Sequence, residues 1–298
     1  MVSDMNSKSS DPSDLSAKAD NIRHVLSRFE GVVDEETLGL LALYSLGKIE
    51  AKGTVRRIRL RRRENGKVCA YVDVDIRPDG IGMEFNLQLR CTLAFDSLKG
   101  EYARKLSLIS PGSFVQFSGK FSGEVVRPES FRILKAKVIR VSGIVAGAEG
   151  DLFCLAGNRC FCCYSDTTPE VGEFVTVEGA LADRDVIVVS DMEVCSDSGD
   201  VSDVKIFTPV SELPESGRVC IAGRVSGIGE LKRFRNREYA SLHISDETGR
   251  VRLLLWSNID VYRKVDIGDG LKVLGGRVEV REEVTVHCDE FTIFAVER

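Results

Sequence analysis

From Lys48 onward, apolar and polar residues alternate in short runs that are broken by Gly, Asp-Gly and Asn-Gly. Side chains on a strand point to opposite faces in turn, so this spacing is typical of half-buried strands joined by tight turns. The runs group into three units, the second of them short, and the first unit carries an amphipathic helix near Asp96 to Ser107. We predict a mainly β fold of three tandem OB-fold units, each a five-stranded Greek-key barrel.

The N-terminal part of the chain follows a different pattern. Its first twenty residues are rich in Ser and Asp and poor in apolar residues, which predicts a disordered tail. An apolar stripe at helical spacing runs from Ile22 to Phe29, and Asp34 and Gly47 are suitable caps for a second helix. The sequence therefore predicts a helical hairpin over residues 21–47.

Charge is distributed in blocks, although the whole chain carries a net charge of only −5. Basic and acidic residues number 20 and 10 in residues 47–141, 2 and 13 in residues 142–203, and 15 and 15 in residues 204–298. We predict a basic unit over 48–140, a small acidic unit over 141–195, a linker over 196–203 and a C-terminal unit over 204–298. The basic unit suits a polyanion, whereas the acidic unit would repel one and is a candidate surface for a protein partner.

The register of one hairpin in the C-terminal unit follows from the sequence. Residues 239–245 and 250–256 both alternate, and their apolar residues must share the buried side, since a one-residue slip would expose one set. Pairing Ser245 with Arg250 satisfies this condition. The outer face then places His243 opposite Arg252 and Tyr239 opposite Trp256, which is the only tryptophan of the chain.

Exposed aromatic rings next to cations are typical of a surface that binds single-stranded nucleic acid. Bases stack on the rings, and guanidinium groups hold the phosphates. The alternative is that Trp256 and Tyr239 are covered by a neighbouring domain or by the helical hairpin, with Phe234 only anchoring its loop. The candidate nucleic-acid-binding residues of this unit are Trp256, Tyr239, Phe234, Arg252, His243, Lys232, Arg233, Arg235 and Arg237.

A second candidate surface is a row of arginines on the first predicted strand. Arg57, Arg59, Arg61 and Arg63 alternate with other residues and so project from one face, about 7 Å apart, a spacing that suits a phosphate backbone. Alternatively, the row is a solvated face or pairs with the acidic second unit.

The C-terminal unit resembles the archaeal single-stranded DNA-binding proteins related to replication protein A. The resemblance covers residues 205–298 and rests on Lys232-Arg-Phe, on Ser245-Asp-Glu-Thr-Gly-Arg-Val-Arg followed by Leu-Trp256, and on Gly268-Asp-Gly-Leu-Lys-Val. It implies that Trp256 and Phe234 stack on bases, and that the protein binds single-stranded DNA without sequence preference in replication, repair or recombination. The chain departs from that family in the loop at residues 279–284, which is acidic and lacks an aromatic residue.

The cysteines allow a zinc site, although buried reduced thiols are the simpler interpretation. Cys160 and Cys163 have the C-x2-C spacing of a zinc knuckle, with Cys154 nearby, but a second pair is missing and only Cys195 follows, 32 residues later. The zinc candidates are therefore Cys154, Cys160, Cys163 and Cys195. We otherwise expect no cofactor.

Catalysis finds little support in the sequence. The three histidines lie in unrelated segments, and the common nucleotide-binding, zinc-protease and serine-hydrolase motifs are missing. Asp73 and Asp75 could share a divalent cation as in a nuclease, although carboxylates on a strand are usually solvated or paired with arginine. A non-enzymatic binding protein is the favoured interpretation, and an assembly adaptor whose barrel faces bind protein is the main alternative.

The sequence predicts a cytoplasmic location. No apolar run approaches the roughly 18 residues that a spanning helix needs, so we expect no membrane association. The N-terminal segment lacks the apolar core of a signal peptide, and the nine cysteines are therefore expected to be reduced.

Overall fold

The computed structural model describes residues 47–63, 65–77, 89–122, 124–195, 205–234 and 237–298. The predicted tail, the linker and the helical hairpin up to residue 46 lie outside the described residues. The described chain is mainly β and its strands close into barrels, as the sequence predicts. None of its described helices is long and apolar enough to span a bilayer.

The first barrel is closed, with the strand order β1-β2-β3-β5-β4. Its strands are β1 (Lys48–Arg62), β2 (Val68–Arg77), β3 (Leu89–Phe95), β4 (Phe114–Ser122) and β5 (Val125–Lys135). Helix α1 (Gly100–Leu106) lies between β3 and β4, within the segment where the sequence predicts a helix. Strand β1 is long enough to pair with both β2 and β4, and a bulge between Val55 and Arg57 gives it the bend that barrel closure needs.

The second barrel repeats this topology with shorter strands. They are β6 (Ile139–Glu149), β7 (Leu152–Ala156), β8 (Phe161–Tyr164), β9 (Phe174–Ala182) and β10 (Val186–Val194), in the closed order β10-β8-β7-β6-β9. A loop over residues 165–173 takes the place of the helix in the first barrel.

The third barrel has the same core topology with two additional strands. Its strands are β11 (Ser216–Ile228), β12 (Lys232–Phe234), β13 (Arg237–Ser245), β14 (Arg250–Leu255), β15 (Gly270–Val280), β16 (Val284–Cys288) and β17 (Ile293–Glu297), with α2 (Ile259–Lys264) after β14. Pairing of β11 with β15 closes the barrel, while β12 extends β13 and β17 pairs with the outer part of β15. The predicted hairpin register is confirmed, because Ser245 pairs with Arg250 and His243 with Arg252.

The second barrel packs against both of its neighbours. Strands β7 and β8 are continuous apolar runs, and such runs are expected where both faces of a strand are buried. Phe153 and Cys163 line the interior of the second barrel, whereas Cys154 and Tyr164 belong to an apolar cluster that continues into the first barrel. The same cluster includes Leu274 of the third barrel. This packing brings distant parts of the chain together around β7 and β8.

Candidate nucleic-acid interface

Three ring-bearing side chains form a continuous row across the outer face of the third barrel. Tyr239 stands at the start of β13, Trp256 directly follows β14, and His287 lies on β16. The Tyr239 and Trp256 rings are stacked, with centroids 5.0 Å apart and an interplanar angle of 28°, which confirms that these two residues face each other. The His287 ring is nearly parallel to that of Trp256, with centroids 6.2 Å apart and an angle of 6°. We call these three residues the aromatic row.

The position of Trp256 is fixed by its neighbours. Its backbone N–H donates to the carbonyl of Cys288 at 2.9 Å, which holds the end of β14 against β16. Both Trp256 and Tyr239 remain partly exposed, so among the described residues neither ring is sealed beneath another part of the chain. The exposed parts of the two rings keep apolar surface in contact with water, and the stacked pair thereby provides a platform for a planar ligand.

His287 completes the aromatic row through a hydrogen bond that fixes its tautomer. The indole Nε1–H of Trp256 donates to Nδ1 of His287 at 2.9 Å, and Nε2 of His287 lies 3.2 Å from Oε2 of Glu279. Nδ1 must be unprotonated to accept, so Nε2 carries the hydrogen and donates to the carboxylate. Burial, and then the charge of Arg277, lower the pKa of His287, which keeps the ring neutral.

Sequence reasoning missed the role of His287. The signal that could have identified it is the parallel pairing of the third and fifth core strands in an OB-fold barrel, which here makes Leu254 and His287 partners. Strand alternation then places His287 on the outer face, next to Trp256.

Strand β12 places further candidates beside the aromatic row. Lys232 is the backbone partner of Tyr239, and directly opposed residues share a face, so Lys232 and Phe234 lie on the same side of the β12–β13 ribbon as Tyr239. Phe234 is 56% exposed, and Lys232 forms an ion pair of 3.7 Å with Glu230. Arg233 is also exposed. Arg235 and the side chain of Arg237 lie outside the described residues.

The acidic loop after β15 modifies the charge of this face. Arg252, opposite His243, donates from Nη1 to Oε1 of Glu283 at 3.0 Å. Burial, and then the charges of Arg250 and Arg252, lower the pKa of His243, so this imidazole is neutral at pH 7. Arg252, the cation predicted to lie on this face, is therefore present, but it forms an ion pair with Glu283. Glu283 belongs to the acidic loop at residues 279–284, where the chain departs from the family that it resembles.

The arginine row of the first barrel is divided between ion pairs and exposed side chains. Arg57 forms an ion pair with Asp183 of the second barrel, which is the intramolecular pairing that the sequence left open. Arg59 donates to Asp73 at 2.8 Å and lies over the ring of Tyr71, 5.8 Å from its centroid. The remaining two members of the row, Arg61 and Arg63, are exposed.

The two carboxylates considered for a nuclease are also paired with arginine. Asp73 is buried and accepts from Thr92 as well as Arg59, each at 2.8 Å. Asp75 lies 3.8 Å from Nε of Arg90. Both carboxylates are therefore paired with arginine, as carboxylates on a strand usually are.

The four cysteines predicted to bind zinc do not lie together in the structure. Cys154 and Cys160 have their sulfurs 3.3 Å apart, and Cys220 of β11 lies next to both. Cys163 faces the interior of the second barrel, because adjacent residues of a strand point to opposite sides. The sulfur of Cys195 lies 3.6 Å from Oγ1 of Thr176. The structure therefore does not bring Cys163 or Cys195 to this cluster.

Cys220 is a second residue that sequence reasoning missed. No spacing motif links it to the others, since it lies 60 residues beyond Cys160. Hydrogen bonds from Cys154 and Cys160 lower the pKa of Cys220, whereas hydrogen bonding, first of all with Cys160, raises the pKa of Cys154.

Comparison with known proteins agrees with the fold of the third barrel. Residues 219–294 match the family described as OB-fold nucleic acid binding domain. No curated protein matches the chain. Among solved structures, a replication factor A related protein from Methanobacterium thermoautotrophicum is 23% identical, covering 30% of this chain and 89% of its own at a TM-score of 0.28. An OB domain from Thermoplasma acidophilum is 17% identical, covering 32% of this chain and 80% of its own at a TM-score of 0.23. A murine DNA binding protein bound with double-stranded DNA is 11% identical, covering 84% of this chain and 98% of its own at a TM-score of 0.30.

Proposed function

We propose that the protein binds single-stranded DNA without sequence preference, through base stacking on the aromatic row of the third barrel. The observation that carries the proposal is the stacked, partly exposed Tyr239–Trp256 pair on the outer face of a barrel whose sequence matches nucleic-acid-binding OB-folds. Stacking accepts any base, because every base has a π-face, and each stacked base contributes about 1–3 kcal/mol. The resemblance to proteins related to replication protein A supports DNA over RNA and a role in replication, repair or recombination.

The phosphates are held by cations around the aromatic row and on the first barrel. Lys232 lies on the β12 extension, on the same side as Tyr239, with Arg233 on the opposite side of that strand, and Arg61 and Arg63 lie on the basic barrel. If about five phosphates are contacted, log K falls against log salt with a slope of about −3.5, at about −0.7 per phosphate for a single strand.

The second barrel is proposed to contribute little to DNA binding. Its charge is strongly acidic, and Asp183 and Glu149 already pair with arginines of the first barrel. Its remaining acidic surface is the proposed site for a protein partner of complementary, basic character.

The proposed activity is binding rather than catalysis. The pairing of Asp73 and Asp75 with arginines supports this choice over the nuclease. A cytoplasmic location is proposed as well, since a reducing compartment suits nine cysteines that are not joined in disulfides.

The test is a fluorescence titration of the full-length chain. Trp256 is the only tryptophan, so its emission reports on the proposed surface alone. Oligo-dT is compared with an abasic oligonucleotide of the same length, which carries the same phosphates and no bases, and with oligo-U. We expect saturable quenching by oligo-dT, weaker quenching by oligo-U and none by the abasic strand.

Two outcomes would contradict the proposal. Equal binding of the abasic strand and oligo-dT, without quenching, would mean that the protein binds phosphates and does not stack bases. No binding of any strand in a parallel anisotropy measurement would leave the adaptor as the better interpretation.

A further inference from the structure

A cluster of cysteines lies where the second barrel meets the third, away from the aromatic row. Cys154 is on β7, Cys160 immediately precedes β8, and Cys220 is on β11. Their sulfurs are 3.3 Å (Cys154–Cys160), 3.4 Å (Cys154–Cys220) and 3.6 Å (Cys160–Cys220) apart, and all three residues are buried. These distances are too long for a disulfide, whose sulfurs lie about 2.05 Å apart.

The spacing of the three sulfurs fits one face of a tetrahedral metal site. Zinc binds thiolates at about 2.3 Å, which places the sulfurs of a regular tetrahedron about 3.8 Å apart. The observed separations are slightly shorter than this value. Three thiols converge on a common point, although the chain segments that carry them come from two different barrels.

Cys162 is the residue best placed to supply a fourth ligand. It is the direct backbone partner of Cys154 across the β7–β8 ladder, so the two side chains share a face. Cys160 and Cys162 are separated by one residue and therefore also point to the same side. The Cys162 thiol donates to the carbonyl of Phe291 at 3.2 Å, and its sulfur and that of Cys154 both lie beside Gly275.

The surroundings of the cluster suit a negatively charged metal–thiolate site. Gly275 has a positive φ of 76°, and a side chain there would overlap the sulfur of Cys162, so the glycine leaves room for the thiols. The buried guanidinium of Arg218 bonds Asp289 at 2.9 Å, and Arg184 lies 3.8 Å from the same carboxylate. The buried charge of Arg218 would partly offset that of bound thiolates.

A route for an ion also exists. A cleft of about 440 Å³ between the second and third barrels is lined by both Cys160 and Cys220. A predicted metal site needs ligands of the right kind and number, a supporting shell and access from solvent. Here three buried thiols lie together, Cys162 is the candidate for the fourth position, and the cleft gives access.

We propose that Cys154, Cys160, Cys162 and Cys220 bind one zinc ion that fastens the second barrel to the third. Four soft sulfur donors in a tetrahedral arrangement favour zinc among the common divalent ions. Each thiol releases its proton to solvent as the ion binds, and no oxidant or reductant is needed. The proposed site replaces the set predicted from sequence, keeping Cys154 and Cys160 and substituting Cys162 and Cys220 for Cys163 and Cys195.

The first experiment measures metal in the full-length protein without any substitution. Elemental analysis of purified chain is expected to give one zinc per molecule. After removal of the metal by a chelator, titration with Co²⁺ is expected to produce thiolate-to-cobalt charge-transfer absorption that saturates at one equivalent. Protein that contains no zinc and gives no such absorption, that contains iron instead, or that forms a Cys154–Cys160 disulfide in air would overturn the proposal.

The second experiment assigns the ligands with matched cysteine variants. Cys220→Ser and Cys162→Ser are expected to lose the stoichiometric Co²⁺ signal, whereas Cys163→Ala, on the same strand as Cys162, and Cys195→Ser are expected to keep it. Full signal in Cys220→Ser would refute a site shared between barrels, and full signal in Cys162→Ser would refute coordination by four thiolates. The unsubstituted protein decides the question if a ligand variant does not fold.

Discussion

Replacing Tyr239 with alanine tests the aromatic row without removing its fluorescent reporter. The Tyr239 ring stacks on Trp256 with centroids 5.0 Å apart, and both rings are partly exposed. The substitution removes one of the two stacking surfaces and leaves the backbone pairing of β12, β13 and β14 unchanged. Tyr239→Phe is the matched control, because it keeps the ring and removes only the hydroxyl.

The expected size of the effect follows from the number of rings lost. One base–aromatic stack contributes about 1–3 kcal/mol, which corresponds to binding that is roughly 5- to 150-fold weaker. The loss of the Tyr239–Trp256 contact should lower the free energy of unfolding by about 0.5–1.5 kcal/mol. This loss is too small to unfold a barrel of this size. Tyr239→Phe is expected to bind like the unsubstituted protein.

The assay is anisotropy of dye-labelled oligo-dT at one fixed salt concentration, with far-ultraviolet circular dichroism as the check on folding, because Tyr239→Ala changes the surroundings of Trp256 even in the folded protein. Binding by Tyr239→Ala that equals that of the unsubstituted protein would show that bases do not stack at this position. Equal weakening by both variants would assign the effect to the hydroxyl and refute the stacking reasoning.

Three further predictions concern charge. Arg61→Ala should make the slope of log K against log salt shallower by about 0.7, since it removes one phosphate contact. Arg57→Ala should leave the slope unchanged, because the guanidinium of Arg57 already pairs with Asp183, and salt titrations of both variants make the comparison. Glu283→Gln should steepen the slope by about 0.7, since it releases Arg252 from its 3.0 Å ion pair, and an unchanged slope would exclude Arg252 as a phosphate contact. The pKa of His287 in the folded protein lies below its ordinary 6.5, so the unfolded chain binds the proton more readily. The contribution of His287 to stability should therefore decline as pH falls through about 6.5 and level off below the pKa of the folded state. Urea unfolding followed at several pH values should show a smaller decline in His287→Gln.

Local patterns in the sequence were sufficient for the β class and for the register of one hairpin. The hairpin of β13 and β14 could be predicted because a one-residue slip moves every apolar side chain into water, so alternation alone selects the pairing. The same argument brought Tyr239 and Trp256 together, and the structure stacks them. The division of the arginine row could not be predicted, because the partners of Arg57 and Arg59 lie on other strands and, for Arg57, on another barrel.

His287 and Cys220 were missed by sequence reasoning for the same physical reason. His287 reaches Trp256 through a parallel pairing of strands, and Cys220 reaches Cys154 because two barrels pack against each other. Neither contact leaves a local spacing in the chain. Period-two alternation acts between neighbours in sequence, so the sequence by itself determined the β class and, in the hairpin of β13 and β14, which side chains face outward. Contacts between distant segments depend on how whole barrels close and dock, so only the tertiary structure decided which cations are paired, which ring completes the aromatic row and which thiols meet.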